Sequence, residues 1–409
     1  MEKKNPGSYA MAEEERLFSR VWLSSLLDFL SGTKSFYYIL VVSALVVLVA
    51  AMFGVFAMHT GYRHVYGVTR EIPWGILISG YVFFVVTSTG LCIVSSIGHV
   101  FGVKSLIPIA KRSVYLSVVT IISGFMVIFF DVENPFRMAI WNAFSPNFTS
   151  NIWWMGTLYG AYLVFMTLEF ILLLLSQHRY AMIAGLLGLL SGVAAHSNLG
   201  AVFGMLHGRE FWYGPYMPIY FIASAVASGC TAIIFFTYLG YKIRAEKFDR
   251  AMVLSLEAVG KIWALTLAIL MFFTTWKVIT SFSGGEGKLI ATNEMLFGSY
   301  AVNFWFFEVF LGMLAPFFLL LISKFRNINQ MFVASLLAFI GIFFMRVDLV
   351  VLGQIVSHYF EYKVVDFPIL LSYSPSIYEI MIIVGAIAFC IFAFLIGEKV
   401  FKGHKTEIH

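Results

Sequence analysis

Apolar runs about as long as a membrane is thick recur along the whole chain, separated by short stretches where charged, glycine and proline residues gather. Ten spans are predicted, at approximately residues 36–58, 75–98, 112–130, 152–176, 180–204, 216–241, 258–280, 299–323, 329–351 and 377–398. At about 1.5 Å per residue, each can cross roughly 30 Å of hydrocarbon as a helix. Helix is required, because lipid offers unpaired backbone groups no partners. The chain therefore reads as an all-α integral membrane protein with about ten transmembrane helices. The first 35 residues differ: Phe18, Trp22, Leu26 and Phe29 or Leu30 recur at helical spacing among charges, which predicts an amphipathic helix lying on the membrane. Their charge is too high for a secretory signal peptide, whose apolar core follows its basic start directly.

Composition agrees with the pattern. Of the 409 residues 60% are hydrophobic and only 12% charged, and the mean hydropathy of +0.87 excludes an ordinary soluble domain. The positive charge is distributed by side. The amino-terminal tail, the loops after spans two, four, six and eight and the carboxy-terminal tail hold 19 of the 27 lysines and arginines, and the other loops, with Arg346 near the end of span nine, hold 8. Both termini are expected in the cytoplasm. "YKIRAEKFDR" after span six weighs most in that count, and the small net charge reports topology and not nucleic-acid binding.

Several cofactors are disfavoured by spacing. Cys92, Cys230 and Cys390 lie singly in three different runs, which argues against zinc or an iron–sulfur cluster in this chain. A haem held between two histidines needs pairs on facing helices, yet only His196 is clearly inside a span; His59, His64, His99, His178, His207 and His358 sit at span ends or in loops, and His404 and His409 in the tail. No glycine-rich nucleotide loop follows a strand. The expectation is no haem, no iron–sulfur cluster and no metal here.

Ionisable residues inside lipid are costly and mark function by default. His196 lies about 24 Å along its span from the predicted cytoplasmic end, Arg346 about 25 Å along its own, and Asp348 slightly further. Structural pairing is the alternative: Arg346 and Asp348 would neutralise each other, and His196 would satisfy a backbone carbonyl. Loops at the same level add "REIPWG" with Glu71 and Trp74, "DVENPFR" with Asp131, Glu133 and Arg137, and "REFWYGP" with Arg209, Glu210, Trp212 and Tyr213. An aromatic belt explains tryptophan and tyrosine at such a level, but not the carboxylates and arginines beside them. Deeper lie Glu169, Glu308 and the run Thr87, Ser88 and Thr89; the two carboxylates could relay protons or glue helices, and small hydroxyl residues such as "TSTG" suit close helix packing.

At these residues the sequence resembles the NrfD/PsrC membrane subunits of respiratory oxidoreductases. The matches are "EIPWGILISGYVFFVVTSTGLC", "DVENPFR", "NIWWMGTLYGAYLVFMTLEF", "AAHSNLGAVFG", "FWFFEVFLGMLAPFFLL" and "FFMRVDLVVLG". They cover roughly residues 70–390, and the ordered set is more specific than any one of them. The stretch from "NIWWMGTLYGAYLVF" through "HSNLGAVFGMLHGREFWYGP" is most similar to the DsrP branch, associated with dissimilatory sulfur metabolism, with HybB-like subunits as near relatives.

The resemblance implies two four-helix bundles, residues 71–206 and 207–351, flanked by residues 36–70 and 352–409, with residues 1–35 as a cytoplasmic tail. It implies a location in the cytoplasmic membrane of a prokaryote. It also implies a quinone, menaquinone foremost, exchanging electrons near the outer face with a ferredoxin-like iron–sulfur subunit, alongside cytochrome and further catalytic subunits. His196, Ser197, Asn198, Tyr213, Arg346, Asp348, Asp131, Arg137, Glu71 and Trp74 are the expected quinone-site residues, and Glu169, Glu308, Thr87 and Ser88 the expected proton path, with proton translocation as a further expectation. Two other classes compete: a secondary transporter and a structural anchor. A transporter predicts glycine- or proline-broken spans, whereas Pro316 alone lies well inside a span.

Overall fold

The computed structural model describes residues 33–360, 362, 364 and 366–401, so the amphipathic pattern from Phe18 to Leu30 and the tail histidines fall outside the described residues. Ten helices among those described are long and apolar enough to cross a membrane. They are α1 (Lys34–Thr60), α2 (Ile76–His99), α3 (Ile107–Asp131), α4 (Asn151–Leu174), α5 (His178–Gly204), α6 (Tyr216–Ile243), α7 (Arg250–Ser281), α8 (Asn303–Ile322), α9 (Ile328–Leu352) and α10 (Ile377–Phe401). Ten helices in these places match the apolar runs. The first twelve residues of α8, Asn303–Leu314, wind as a π-helix before an ordinary turn resumes at Ala315.

Polar residues set several helix starts. Thr33, Ser150, Asp249 and Asn327 each accept, through a side-chain oxygen, the backbone N–H three residues on, satisfying a donor that no helical carbonyl reaches. Before α10, Ser376 and Glu379 form a reciprocal capping box: Glu379 N donates to Ser376 Oγ and Ser376 N to Glu379 Oε2.

α2 and α6 are central. In its most apolar window α2 is 83% buried by protein, against 17% for α1, so α2 is surrounded by helices while α1 faces lipid. The two central helices cross where Gly90 meets Gly229. A Cβ on either would collide with the other helix's backbone, and this is the closest form of helix contact in lipid. Gly312 and Gly341 repeat the device between α8 and α9. α3, α4 and α5 complete the first bundle around α2; α7, α8 and α9 complete the second around α6; α1 and α10 pair along one side.

Two buried polar ties hold the flanking helix. At the predicted cytoplasmic end, the Glu398 carboxylate of α10 accepts from Arg112 of α3 at 2.6 Å and from Arg244, just past α6, at 2.8 Å. At the predicted outer end, buried Glu379 accepts from Gly67 N, Ser376 N and Tyr373 Oη, each at 2.8 Å.

Candidate functional site

Two helices of different bundles bring their polar residues to one point on a third. His196 of α5 is fully buried, with Nε2 2.9 Å from the Phe221 carbonyl oxygen of α6 and Nδ1 3.1 Å from the Tyr159 hydroxyl of α4. A carbonyl can only accept, so Nε2 carries the proton, and in the neutral ring the phenol donates to Nδ1. Ser224 Oγ also donates to the Phe221 carbonyl, at 2.8 Å. Arg346 of α9, fully buried, donates from Nη2 to Ser224 Oγ at 2.8 Å and lays its guanidinium 5.5 Å from the centre of the Phe221 ring. A continuous hydrogen-bonded series thus runs Tyr159, His196, Phe221 carbonyl, Ser224, Arg346.

The alternative of structural pairing is met by half: His196 does bond a backbone carbonyl, that of Phe221, but among the described residues no hydrogen bond or ion pair joins Arg346 to Asp348. Residues two apart on a helix point to nearly opposite sides. Arg346 faces α6, whereas Asp348 faces α8 and accepts from Asn303 Nδ2 at 3.3 Å. Among the described residues Arg346 Nε and Nη1 and Asp348 Oδ2 are buried without a hydrogen-bond partner. "HSN" is divided as well: His196 meets Tyr159 of α4 and the Phe221 carbonyl of α6, Ser197 is half-buried, and Asn198 donates instead to the carbonyl of Asn151, the first residue of α4, at 2.7 Å.

An aromatic column rises from Phe221 to the predicted outer face. Phe203 stacks on Phe221 at 5.8 Å, Trp212 meets Phe203 edge-on at 5.1 Å, and Trp74 stacks on Trp212 at 5.4 Å. Loops lock its top. Arg209 donates to the carbonyls of Gln354, Val356 and Glu71, and burial holds its guanidinium below the ordinary arginine value. Buried Gln354 pairs with both backbone groups of Trp74. Glu71 therefore contributes its backbone here, and Tyr213 lies half-exposed beside His207.

Other expected residues lie elsewhere. Asp131, at the end of α3, shares its electrostatic surroundings with Glu379, and Arg137 lines a surface cavity with Glu133 and Trp141. Among the described residues neither bonds to the His196 series. Towards the other face, Tyr162 Oη lies 2.9 Å from Ser88 Oγ, which donates to the Ser117 carbonyl at 2.6 Å. Buried Glu169 has Oε1 3.2 Å from His99 Nδ1. Thr87 donates within its own helix, to Phe83. Glu308 is buried on the π-helical part of α8, where the charges of Lys277 and Arg346 act on it.

Sequence reasoning missed Tyr159, Ser224, Lys277, Gln354 and the His99 partner of Glu169. One signal was available: Tyr159, Tyr162, Met166 and Glu169 repeat at helical spacing, and these, with Phe170, are the residues α4 buries. Ser224 and Gln354 gave none, since serine inside a span and glutamine in a loop are common.

Known proteins share this chain's pattern over most of its length. The family model for polysulphide reductase, NrfD, matches residues 64–357. The Hdr-like menaquinol oxidoreductase integral membrane subunit of Archaeoglobus fulgidus is 23% identical over 376 residues, covering 88% of this chain and 92% of that protein. A selenate reductase subunit of Mesobacillus selenatarsenatis is 24% identical over 390 residues, covering 83% of this chain and 89% of that protein. With well over half of its length matched, this chain belongs to the NrfD, polysulphide reductase, family.

Proposed function

We propose that the chain is the quinone-reactive membrane subunit of a respiratory oxidoreductase, exchanging electrons between the menaquinone pool and an iron–sulfur subunit at the predicted outer face. Family membership supports the quinone-linked class, and one relative is named a menaquinol oxidoreductase subunit. The observation that carries the reading is the buried series from Tyr159 through His196 to Arg346. Quinol oxidation releases two protons with two electrons, so its site needs a base that exchanges protons and a fixed positive charge for the head-group oxygen. His196 Nδ1 becomes that base when the Tyr159 phenol turns aside, and Arg346 supplies the charge, with Nε and Nη1 free to donate. Trp74 and Trp212 close the site towards the partner subunit. Two separate polar pairs, Tyr162 with Ser88 and Glu169 with His99, lie towards the opposite face, where a proton path would need them.

The test is quinol-driven reduction of the partner subunit in the complex purified through this chain. His196→Ala is expected to lower the rate at least about a hundredfold, the usual worth of a general base, with the complex intact by size-exclusion chromatography. Full activity in an intact complex overturns the role given to His196. Solute uptake by the chain alone in liposomes, without quinol activity in the complex, supports a transporter instead.

A further inference from the structure

The short helix Pro135–Phe144, between α3 and α4, is exposed along nearly its whole length. Pro135 is buried and Asn142 half-buried, whereas Phe136, Met138, Ile140, Trp141 and Phe144 are exposed, Phe136 by 69% and Phe144 by 79%. A helix shorter than about 12–15 residues is marginal in water by itself. One that also bares five large apolar side chains has to be covered by something other than water. Its ties to the protein run mainly to α4. The Asn142 carbonyl accepts from Trp153 Nε1 at 2.8 Å, and Asn142 Nδ2 donates to Thr157 Oγ1 at 3.1 Å. Phe136 also meets Phe129 of α3 edge-on at 5.4 Å.

Helical spacing sorts the exposed side chains. Phe136, Ile140 and Phe144, four residues apart, share one stripe, and Arg137 and Trp141 share the next. The second stripe has polar company: Arg137, Met138 and Trp141 line a surface cavity of about 640 Å³ with Glu133, Asn134 and Ser145. The apolar stripe is followed along the chain by exposed Phe148 and Ile152, and then by exposed Val164, Leu168 and Ile171 of α4. In its most apolar window α4 is only 28% buried by protein, so these residues meet lipid. Phe148 lies 5.2 Å from Trp153, and its carbonyl accepts from Trp154 Nε1 at 2.9 Å. Tryptophans gather where hydrocarbon meets headgroups, which sets the level of the short helix. That boundary supplies both media the two stripes require: hydrocarbon for the phenylalanines, and charged headgroups for Arg137 and Glu133.

We infer that the helix Pro135–Phe144 is an interfacial anchor, lying in the leaflet at the predicted outer face, with Phe136, Ile140 and Phe144 among the acyl chains and the Arg137 cavity at the phospholipid headgroups. Through Asn142 this anchor fixes the first turns of α4 at the membrane surface, and Tyr159, the partner of His196, follows Thr157 by two residues. The inference does not depend on the quinone-linked reading.

Spin-label depth measurement tests it, on the complex purified through this chain and reconstituted in phospholipid nanodiscs. Nitroxides are attached in Ile140→Cys, Phe144→Cys and Arg137→Cys; Cys92, Cys230 and Cys390 are buried and take no label. Power saturation compares collision with oxygen, which concentrates in hydrocarbon, and with a water-soluble nickel chelate. Labels at positions 140 and 144 are expected to favour oxygen, at a depth of about 5–10 Å into the headgroup–acyl boundary, with the label at 137 shallower than both. Preference for nickel at 140 and 144 overturns the inference. So does a label that neither reagent reaches, since that marks a protein partner on this face. A second measurement leaves the helix its native apolar stripe: lipids brominated high on their acyl chains should quench less tryptophan fluorescence in Trp141→Phe than in the wild type. Equal quenching in the two overturns the inference as well.

Discussion

His196 of α5 and Ser224 of α6 donate to one acceptor, the Phe221 carbonyl oxygen, at 2.9 and 2.8 Å. Through Ser224 that acceptor also carries Arg346, so one backbone carbonyl joins an imidazole of the first bundle to a guanidinium of the second.

Ser224→Ala tests this joint. It removes the hydrogen bond that Arg346 Nη2 makes while leaving His196 its acceptor. A buried hydrogen bond to a charged group contributes about 1.5–3 kcal/mol. Thermal unfolding in detergent should show a loss of that order, and quinol-driven activity should fall while the complex still assembles. Wild-type stability and activity together would mean that Arg346 is held by other contacts.

Gly90→Ala probes the crossing of the central helices. Its Cβ would collide with the Ala225 carbonyl, which is backbone and cannot rotate away. Overpacking a well-packed contact costs about 1–3 kcal/mol. The variant should give less folded protein and a lower melting temperature, whereas alanine at Gly160, where a Cβ meets nothing, should be neutral.

Ala245→Gly should stabilise. Ala245 is exposed and turns the chain after α6 at φ 56°, in the left-handed region that costs an L-residue about 1–2 kcal/mol. Glycine removes that strain but enters with a more flexible unfolded chain, leaving a net gain of roughly 0.5–1 kcal/mol. A chemical denaturation series on the purified chain measures it.

Alkaline pH should loosen the predicted outer face. Tyr373 accepts from Ile76 N and donates to Glu379, each at 2.8 Å; burial first, and Glu379 second, push its phenol above the ordinary range. Burial, then Tyr62, does the same to Tyr66. The folded protein keeps these protons where the unfolded chain releases them, from about pH 10 upward. Their stabilisation is therefore complete below that pH and is lost as pH rises through the raised values. Melting temperature should decline above about pH 10, and Tyr373→Phe should flatten the decline at a cost near 1 kcal/mol at neutral pH. A decline that is equally steep in Tyr373→Phe would assign it to other groups.

The helices were legible because lipid enforces length, and length with apolarity is written in order along the chain. His196 and Arg346 were legible for the same reason: a polar group inside a long apolar run stands out. What joins them was not. A hydrogen bond to Phe221 depends on a backbone atom, which no side-chain pattern reports, and Ser224 is one of many hydroxyl residues in the spans. Depth was also mistaken for direction. Asp348 shares a level with Arg346, yet helix rotation turns it to α8, and Asn198 bonds the first residue of α4 and not the His196 series. The departure of Asn303–Leu314 from ordinary helix had no visible signal, since apolar residues there fill both patterns alike.

Trp212 donates from Nε1 to the Leu349 carbonyl at 2.6 Å, and its indole fills the space that a Cβ at Gly353 would need. The loop after α5 thus works as a pawl in a notch at the end of α9. A slide of α9 along its axis by one residue would move the notch off the indole, and a tilt would press backbone against the ring. The axial position of the helix bearing Arg346 and Asp348 is therefore set in part by the loop after α5, through the buried Trp212 indole at its end.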